Sequence, residues 1–324
     1  MCNMIINDNL INVNEKKNET LSVQVQNFEK HKKLALSIQS ALADMHRIKG
    51  FNNEKLEQNF TAKGLSILNC GTSLGFTRYY NTDNTTKLSH ANFCKNRLCP
   101  MCAWRWHLKY NAILRRTFAI LGEGDYYHLV LTIPNLRVIT KDIIQQLNRK
   151  ASAFIKKQFN TLDYFKGFEL TIGENGTYHP HYHIVLYYPK GMSNIPTKKE
   201  IQTNWAKLTG FGSYNIINID KCTTSTVSIE LTKYILKFEN STKEEFIINS
   251  IQSIYLALKG LRKFSTSGLV KKAEEQAKVE LENENIEELK ELQKYDYETT
   301  FYKWLGTCYE QSGRYQRTKI REDN

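Results

Sequence analysis

The chain has 324 residues and a mass of 37.8 kDa, more than one compact core usually holds, so we expect a domain of ordinary size with sizeable appendages. Hydrophobic residues make up 41% and aromatic residues 11%, which is enough for a packed core and excludes wholesale disorder. The sequence has no long apolar run and no basic-then-apolar leader, and its 7 cysteines are an odd number. We therefore expect a cytoplasmic chain with no membrane partner and no disulfide framework.

The net charge of +12 is unevenly distributed along the chain. Residues 273–298 carry ten acidic and three basic side chains, so the rest of the chain carries a net charge of +19. No acidic residue lies between Asp83 and Glu123, whereas seven lysines and arginines do. This distribution favours a polyanionic partner, because neutralising phosphates releases counterions. A lysine-rich surface that only keeps the protein soluble is the alternative.

Hydrophobic periodicity predicts the secondary structure in chain order. Residues 1–30 lack sustained periodicity and are expected to form a weakly ordered arm, followed by a helix over 28–49 with Leu34, Ile38, Leu42 and Met45 on one face. A cysteine-bearing segment at 61–107 precedes a helix over 107–121. The remaining predicted strands are 128–134, 167–172, 181–188 and 213–219, and the remaining predicted helices are 138–158, 197–208 and 226–238.

This order of elements predicts an α+β fold built on an antiparallel sheet. We expect four regions along the chain. They are an N-terminal arm and helix at 1–60, a cysteine-rich element at 61–122, a core with most of the predicted strands at 123–244, and a helical C-terminal region with the acidic segment at 245–324.

Four cysteines have the spacing of a structural zinc site. Cys94, Cys99 and Cys102 lie within nine residues, and the last pair forms a C-x-x-C knuckle that lets two thiolates reach one tetrahedral ion. Cys70 is the expected fourth ligand, with His90 as the alternative. The residues between Cys70 and Cys94 would then form a loop held at its base. The alternative is that these cysteines are small buried side chains that bind no metal.

Basic and aromatic side chains surround the cysteines and suggest a nucleic-acid surface. Lys95, Arg97, Arg105 and Lys109 are the expected DNA contacts. Trp104 and Trp106 could stack on bases, but we expect both rings to belong to the core under the knuckle.

The strand predicted at 181–188 carries a second candidate metal site. Side chains two apart share a face of a strand, so His181 and His183 project together. Glu169 on the preceding strand is the nearest acidic side chain. A two-residue turn at Asn175-Gly176 would place it opposite Tyr182 on the wrong face, whereas a loop from 174 to 178 would place it opposite His183. Glu174 and His179 are the alternative ligands.

The helix predicted at 226–238 carries a candidate nucleophile and base. Glu230 and Tyr234 are four residues apart and therefore share a helix face. A neutral phenol attacks poorly, so Lys233 or Lys237 and a polarised phosphate would favour the phenolate, and Glu230 could act as a general base. A packing role is the default interpretation of a tyrosine in this setting.

Together these segments resemble the plasmid rolling-circle replication initiators, the Rep proteins of the HUH endonuclease class. The similarity is to the branch that has a cysteine knuckle and a single catalytic tyrosine. The segments HLVLTIPN at 128–135, HPHYHIVL at 179–186 and ELTKYILK at 230–237 look like the three motifs of the family, in the same order. FCKNRLCPMCAWRW at 93–106 is similar to the cysteine segment of this branch. The resemblance covers residues 65–240.

The resemblance implies a ferredoxin-like HUH core with a central antiparallel sheet, a zinc element and helical ends. It implies Mg²⁺ or Mn²⁺ on His181 and His183, with Glu169 as a further ligand, and Zn²⁺ on the cysteines. Tyr234 would attack a phosphodiester of the plasmid origin, in DNA that is single-stranded or extruded as a hairpin. The products would be a 5′-phosphotyrosine link and a 3′ hydroxyl that primes a host polymerase. Glu230 would support the hydrolysis that ends a replication round.

Three other functions compete with this interpretation. A single-tyrosine HUH transposase or mobilisation relaxase shares the chemistry and differs in substrate. A zinc-stabilised DNA-binding regulator without catalysis would explain the basic cluster but not the histidines, and a hydrolase of small substrates would explain the histidines but not the charge. We interpret segment 273–298 as a solvated helix face, with homodimer formation or recruitment of a host helicase as alternatives.

Overall fold

The computed structural model describes residues 20–43, 54–173, 175–211, 217–223, 236–238 and 244–318. The chain divides into two compact units. The first comprises residues 1–109 and 279–324, so the two ends of the chain belong to one unit, and the second comprises residues 110–278. Each unit contains its own sheet.

The first unit is built on an antiparallel sheet of four strands. In spatial order these are β10 (Tyr309–Arg317), β9 (Tyr297–Trp304), β1 (Ser73–Tyr79) and β2 (Thr86–Ala91). Helices α1 (Leu21–Ala43) and α2 (Glu54–Leu68) pack on each other in this unit. Leu74 and Phe76 of β1 are buried, and Phe76 lies edge-on to Phe28 of α1 with ring centroids 5.8 Å apart. The C-terminal strands therefore complete a sheet that begins before residue 80.

The second unit is built on a mixed sheet. Four antiparallel strands follow the spatial order β6 (Ile217–Lys221), β3 (Asp125–Thr132), β5 (Tyr178–Tyr188) and β4 (Tyr164–Ile172). Two short strands share the outer edge of β4. β8 (Phe264–Ser267) pairs antiparallel with its first half, and β7 (Leu236–Phe238) pairs parallel with its last three residues.

Helices α4 (Lys141–Phe159) and α5 (Lys198–Thr209) pack on each other beside this sheet. Thr140 caps α4, and Thr197 with Glu200 forms a capping box at the start of α5, so the first-turn N–H groups have acceptors. Trp205 of α5 is fully buried, and its indole Nε1 donates a hydrogen bond of 2.7 Å to the carbonyl of Thr132 on β3. This bond connects helix α5 to strand β3.

The alternation of the strands gives the sheet two different faces. Tyr182, Ile184 and Leu186 of β5 lie on one face, and the opposite face carries the histidines of β5 at one end. At the other end, the histidine-bearing face holds an apolar cluster to which the second half of helix α3 (Pro100–Leu121) contributes. The cluster consists of Leu114, Phe118, Tyr126, Phe165, Val185, Tyr187, Phe264 and Val270. A packed core thus holds one end of the strands whose other end carries the polar groups.

The ends of the chain differ from the sequence-based prediction. Residues 21–30, expected in a weakly ordered arm, belong to α1, and Leu34, expected on the buried face of that helix, is 49% exposed. Ile38 and Leu42 of the predicted face are buried as expected, and the buried stripe continues through Phe28, Lys32 and Ala35. Leu34 lies at the edge of this stripe, whereas Lys32 is a charged residue that is fully buried.

The C-terminal region is helical only in part. It contains α6 (Glu244–Leu258) and α7 (Gly268–Leu292), but also β8, β9 and β10, which the local pattern did not predict. The backbone groups of β1 need partners along the edge that faces β9, and the C-terminal strand supplies them. Residues 236–238, predicted as the last turn of a helix, are strand β7. Among the described residues, no helix has the length and apolar character needed to cross a membrane.

Candidate catalytic face and zinc site

Three histidines of β5 lie on one face of the second sheet, as the alternation of the strand predicted. His181 and His183 are opposite Thr132 and Val130 of β3, and His179 precedes them on the same face. The rings of His179 and His181 lie 4.6 Å apart between centroids, and those of His181 and His183 lie 6.2 Å apart. The imidazoles therefore form a continuous row along the strand.

The register between β4 and β5 brings Glu169 to this row. Glu169 is directly opposite His181, because the loop between the strands spans residues 173–177. Neither register considered from the sequence occurs, but the observed one places the carboxylate on the histidine face. Its oxygens lie 3.4 Å from Nε2 of His183 and 3.8 Å from Nε2 of His181. Glu169 is 7% exposed, so the carboxylate is buried beside both imidazoles.

The neighbouring strand adds a fourth histidine that the sequence analysis did not assign. His128 of β3 lies opposite Val185, and its ring stacks on that of His183 at 5.5 Å between centroids and 15° between planes. Nε2 of His128 is 3.3 Å from Nδ1 of His183. His128 is the first residue of the strand predicted at 128–134, so its presence on a strand could be read from the sequence. Its position beside His183 depends on the pairing of β3 with β5, which the sequence does not show.

Two further side chains adjoin the carboxylate. The hydroxyl of Thr171 is 2.9 Å from Nε2 of His181 and donates a hydrogen bond of 3.5 Å to Glu169. Burial lowers the pKa of Lys263 to about 7, and the negative charge of Glu169 opposes that shift. The candidate site therefore combines imidazole nitrogens, a buried carboxylate and a nearby amine, which are groups that can hold a divalent cation or a phosphate.

The predicted nucleophile and base lie outside the described residues, as does Glu174. Tyr234 and Glu230 both fall within 224–235. The described chain resumes at Leu236, which pairs with Leu170 of β4, the residue directly after Glu169.

The first unit holds the predicted cysteine cluster. Cys70, Cys94, Cys99 and Cys102 have sulfur atoms that all lie within 4.8 Å of one another, and Sγ of Cys102 is 3.5 Å from Cys70 and 3.7 Å from Cys94. Tetrahedral Zn–S bonds of about 2.3 Å separate sulfurs by roughly 3.8 Å, so the sulfur separations fit zinc. Within the described residues, no other set of three or more potential ligands is this close.

Local structure explains how distant cysteines meet. The residues between Cys70 and Cys94 form the β1–β2 hairpin, whose two ends adjoin, so the expected loop is an ordered hairpin. Cys102 lies in the first turn of α3. Hydrogen bonds from Cys102 and Cys70 lower the pKa of Cys94, which favours its thiolate. His90 does not join the cluster and instead lies edge-on to Phe301.

The predicted DNA contacts differ in accessibility. Lys95 and Arg97 are exposed and Lys109 is half-buried. The guanidinium of Arg105 lies 5.4 Å from the ring centroid of Phe93 and 6.0 Å from that of Phe28, so it is engaged within its own unit. Trp104 packs against Phe28 and His31 as expected, but Trp106 is 48% exposed and does not belong to the core.

Two protein-family models match the chain, one over the histidine face and one over the cysteine cluster. The model of a family described as "Replication protein" matches residues 85–315, about 70% of the chain, including the histidine face and β9. The model of a transposase zinc-binding domain matches residues 26–133, which contain all four clustered cysteines. Sulfur geometry and this match together support a structural zinc ion held by Cys70, Cys94, Cys99 and Cys102.

Curated relatives agree with the family match. "Protein rep" of Lentilactobacillus hilgardii is 26% identical over 71% of this chain and 83% of its own length. "Protein rep" of Lactiplantibacillus plantarum is 26% identical over 72% of this chain and 84% of its own. "Protein rep" of Bacillus amyloliquefaciens is 35% identical over 38% of this chain and 39% of its own. No solved structure matches the chain significantly. The expected resemblance to replication initiators is thereby confirmed, and the chain belongs to the replication protein family.

Proposed function

We propose that this protein initiates plasmid replication by nicking one strand of the origin with Tyr234 as the nucleophile. The observation that carries the proposal is the register of β4 and β5, which brings the buried Glu169 carboxylate beside His181 and His183. Two imidazoles and one carboxylate on a sheet face leave coordination positions open for a substrate oxygen. A structural site would instead be closed by protein ligands.

The donor set suits a divalent cation at this face. His181, His183 and Glu169 would hold Mg²⁺ or Mn²⁺, and the bound ion would polarise a phosphate oxygen of the DNA. His128 supports His183 from the neighbouring strand. This contact restrains the ring of His183, which lowers the entropy that the site loses when it binds the ion.

The chemical step transfers a phosphoryl group without net hydrolysis. The phenol of Tyr234 gives up its proton and its oxygen attacks the phosphorus, the bond from phosphorus to the 3′ oxygen breaks, and the departing 3′ oxygen takes up a proton, so that the number of protons is unchanged. The 5′ phosphate stays on Tyr234 as a phosphodiester, so the later strand closure needs no nucleotide cofactor. The free 3′ hydroxyl serves as the primer for a host polymerase.

Chain connectivity supports Tyr234 as the nucleophile. Tyr234 is two residues before Leu236, and Leu236 pairs with the residue that follows Glu169. Glu230, four residues before Tyr234, is the proposed base that activates water or a second hydroxyl when the replication round ends.

The first unit is proposed to contact the origin DNA through its phosphates. Lys95 and Arg97 are exposed beside the zinc cluster and can contact phosphates. Such contacts position DNA and depend on salt, whereas the chemistry belongs to the second unit.

The test combines wild-type protein, Mn²⁺ or Mg²⁺ and end-labelled single-stranded oligonucleotides that tile the plasmid origin. A denaturing gel should show a protein-linked DNA band that requires the added ion and disappears with Tyr234→Phe. Tyr255→Phe, which alters a tyrosine of α6, is the matched control and should retain the band. DNA that is bound but never linked or cut under any condition would contradict nicking and favour a zinc-stabilised DNA-binding regulator.

A single-tyrosine transposase is the second candidate, and the match to a transposase zinc-binding domain is the observation that favours it. The match ends at residue 133 and therefore excludes the strand that carries His181 and His183. Oligonucleotides from the ends of a mobile element, tested beside origin oligonucleotides, separate the two functions. Preferential cleavage of the element ends would replace the initiator proposal.

A further inference from the structure

Lys32 is a fully buried lysine in the stripe of α1 that faces the zinc element. Its relative exposure is 0%, and it is among the largest fully buried side chains of the described chain. Nζ donates hydrogen bonds to the carbonyl oxygens of Leu68 and Cys70, the latter at 2.7 Å. A buried ammonium group is costly unless opposite charge lies close to it.

Cysteine sulfurs supply the negative charge that acts on Lys32 within the described part of the chain. Burial lowers the pKa of Lys32, and the charges of Cys70, Cys99 and Cys94 oppose that shift. Three of the four zinc ligands therefore attract this ammonium. Its two carbonyl acceptors also include the backbone of a ligand residue, Cys70, so Lys32 adjoins the metal site through both charge and hydrogen bonding.

Arg105 is a second cation near the same cluster, because it follows Cys102 by three residues on α3 and therefore lies one helical turn away. Its guanidinium lies over the rings of Phe93 and Phe28, and Phe93 directly precedes the ligand Cys94. Burial lowers the pKa of Arg105 to about 10, and the charge of Cys102 opposes that shift. Lys32 on α1 and Arg105 on α3 thus bring positive charge to the cluster from two helices.

We propose that Lys32 and Arg105 are the counter-charges of the zinc site. Zn²⁺ with four thiolates carries two net negative charges, and two neighbouring cations neutralise them. The pairing explains why a lysine occupies a buried position of α1, and it makes zinc binding and the docking of α1 mutually dependent. This inference concerns the zinc element and does not rest on the proposed nicking activity.

The alternative role of Lys32 is that of a neutral structural link, in which the amine only bonds to carbonyls at the end of α2. Charge-retaining and charge-removing variants separate the two roles. Lys32→Arg keeps the positive charge, whereas Lys32→Gln keeps a hydrogen-bond donor and removes the charge. Lys33→Gln is the matched control, because Lys33 is the next residue, is exposed and pairs with Glu29.

The measurement is the zinc affinity of the full chain, determined by competition with a chromophoric chelator. We expect Lys32→Gln and Arg105→Gln to bind zinc about 10–100-fold more weakly than wild type, the usual effect of losing an outer-shell partner. Lys32→Arg and Lys33→Gln should bind as wild type does. Wild-type affinity in Lys32→Gln, or equal weakening in Lys32→Arg and Lys32→Gln, would overturn the proposal.

A second background covers the case in which Lys32→Gln fails to fold. Cys94→His replaces a thiolate by a neutral imidazole, so the loaded site carries one fewer negative charge and needs fewer cations. In that background Lys32→Gln should be tolerated, so the double variant should fold with zinc as judged by circular dichroism. A double variant that stays unfolded with zinc, while Cys94→His alone folds, would contradict a charge-based role.

Discussion

Nε2 of His128 on β3 lies 3.3 Å from Nδ1 of His183 on β5, and the two rings are stacked. If His183 binds a cation through Nε2, its Nδ1 carries the proton and donates it to Nε2 of His128. The contact would then favour the tautomer of His183 whose Nε2 faces Glu169, at a distance of 3.4 Å. We therefore propose His128 as a positioning residue of the candidate site.

Replacing His128 should weaken the binding of the divalent cation without unfolding the second unit. We expect His128→Ala to lower Mn²⁺ affinity about 10–100-fold, because His183 loses the partner that fixes its ring. Calorimetric titration of the zinc-loaded protein measures this. His128→Gln, which retains an amide near the same position, should recover part of the affinity, and His90→Ala on β2 is the control. Equal Mn²⁺ affinities of His128→Ala and wild type would rule out the positioning role.

Removing zinc should unfold the first unit while the second remains folded. The four thiols hold α2, the β1–β2 hairpin and the start of α3 together, and structural zinc in small domains contributes on the order of 10 kcal/mol. Chelation or Cys70→Ser should therefore abolish protection of residues 73–91 in hydrogen exchange. Cys222→Ser, outside the cluster, should leave exchange unchanged. Persistent protection of the hairpin after complete zinc removal would show that the metal is dispensable for the fold.

Gly268 should tolerate substitution less well than Gly122, although both have positive φ. A Cβ at Gly268 would clash with Oδ1 of Asp163, and this carboxylate accepts a 2.6 Å hydrogen bond from the N–H of Leu269 at the start of α7. Gly268→Ala should cost about 2–3 kcal/mol, from the left-handed backbone and the lost cap. At Gly122 a Cβ meets nothing within 4 Å, so Gly122→Ala should cost about 1 kcal/mol. Urea unfolding measures both, and equal costs would refute the role of Asp163.

Because of Lys166, the free energy of unfolding of the second unit should be larger at alkaline pH than at neutral pH. Lys166 is 5% exposed and donates hydrogen bonds to Asn148 and Ser152, and burial lowers its pKa to about 8 from an ordinary value of 10.5. Between these values the unfolded chain binds more protons than the folded one, so the free energy of unfolding rises with pH.

Urea unfolding at pH 7.5 and 9.5 tests this expectation. Relative to Lys166→Met, the wild-type free energy of unfolding should increase by about 1–2 kcal/mol over this interval. Lys157→Met, at an exposed position of α4, should follow wild type. Parallel pH profiles for wild type and Lys166→Met would mean that Lys166 has the same pKa in both states.

Local patterns in the sequence determined the components of both sites. The alternation of β5 placed His181 and His183 on one face because successive strand residues point in opposite directions, and the close spacing of Cys94, Cys99 and Cys102 reflects the reach of one tetrahedral ion. The α+β class followed from the order of strands and helices. These properties depend on neighbours within a few residues, which a sequence displays directly.

Only the tertiary structure decided which distant groups complete these sites. The register that brings Glu169 opposite His181, the approach of His128, the choice of Cys70 over His90 and the return of β9 to β1 all depend on pairing between separate segments. Many backbone hydrogen bonds and side-chain contacts across a sheet together select one register, and no single residue specifies it. The burial of Lys32 likewise depends on segments distant in the sequence, because its ammonium donates hydrogen bonds to the carbonyl oxygens of Leu68 and Cys70.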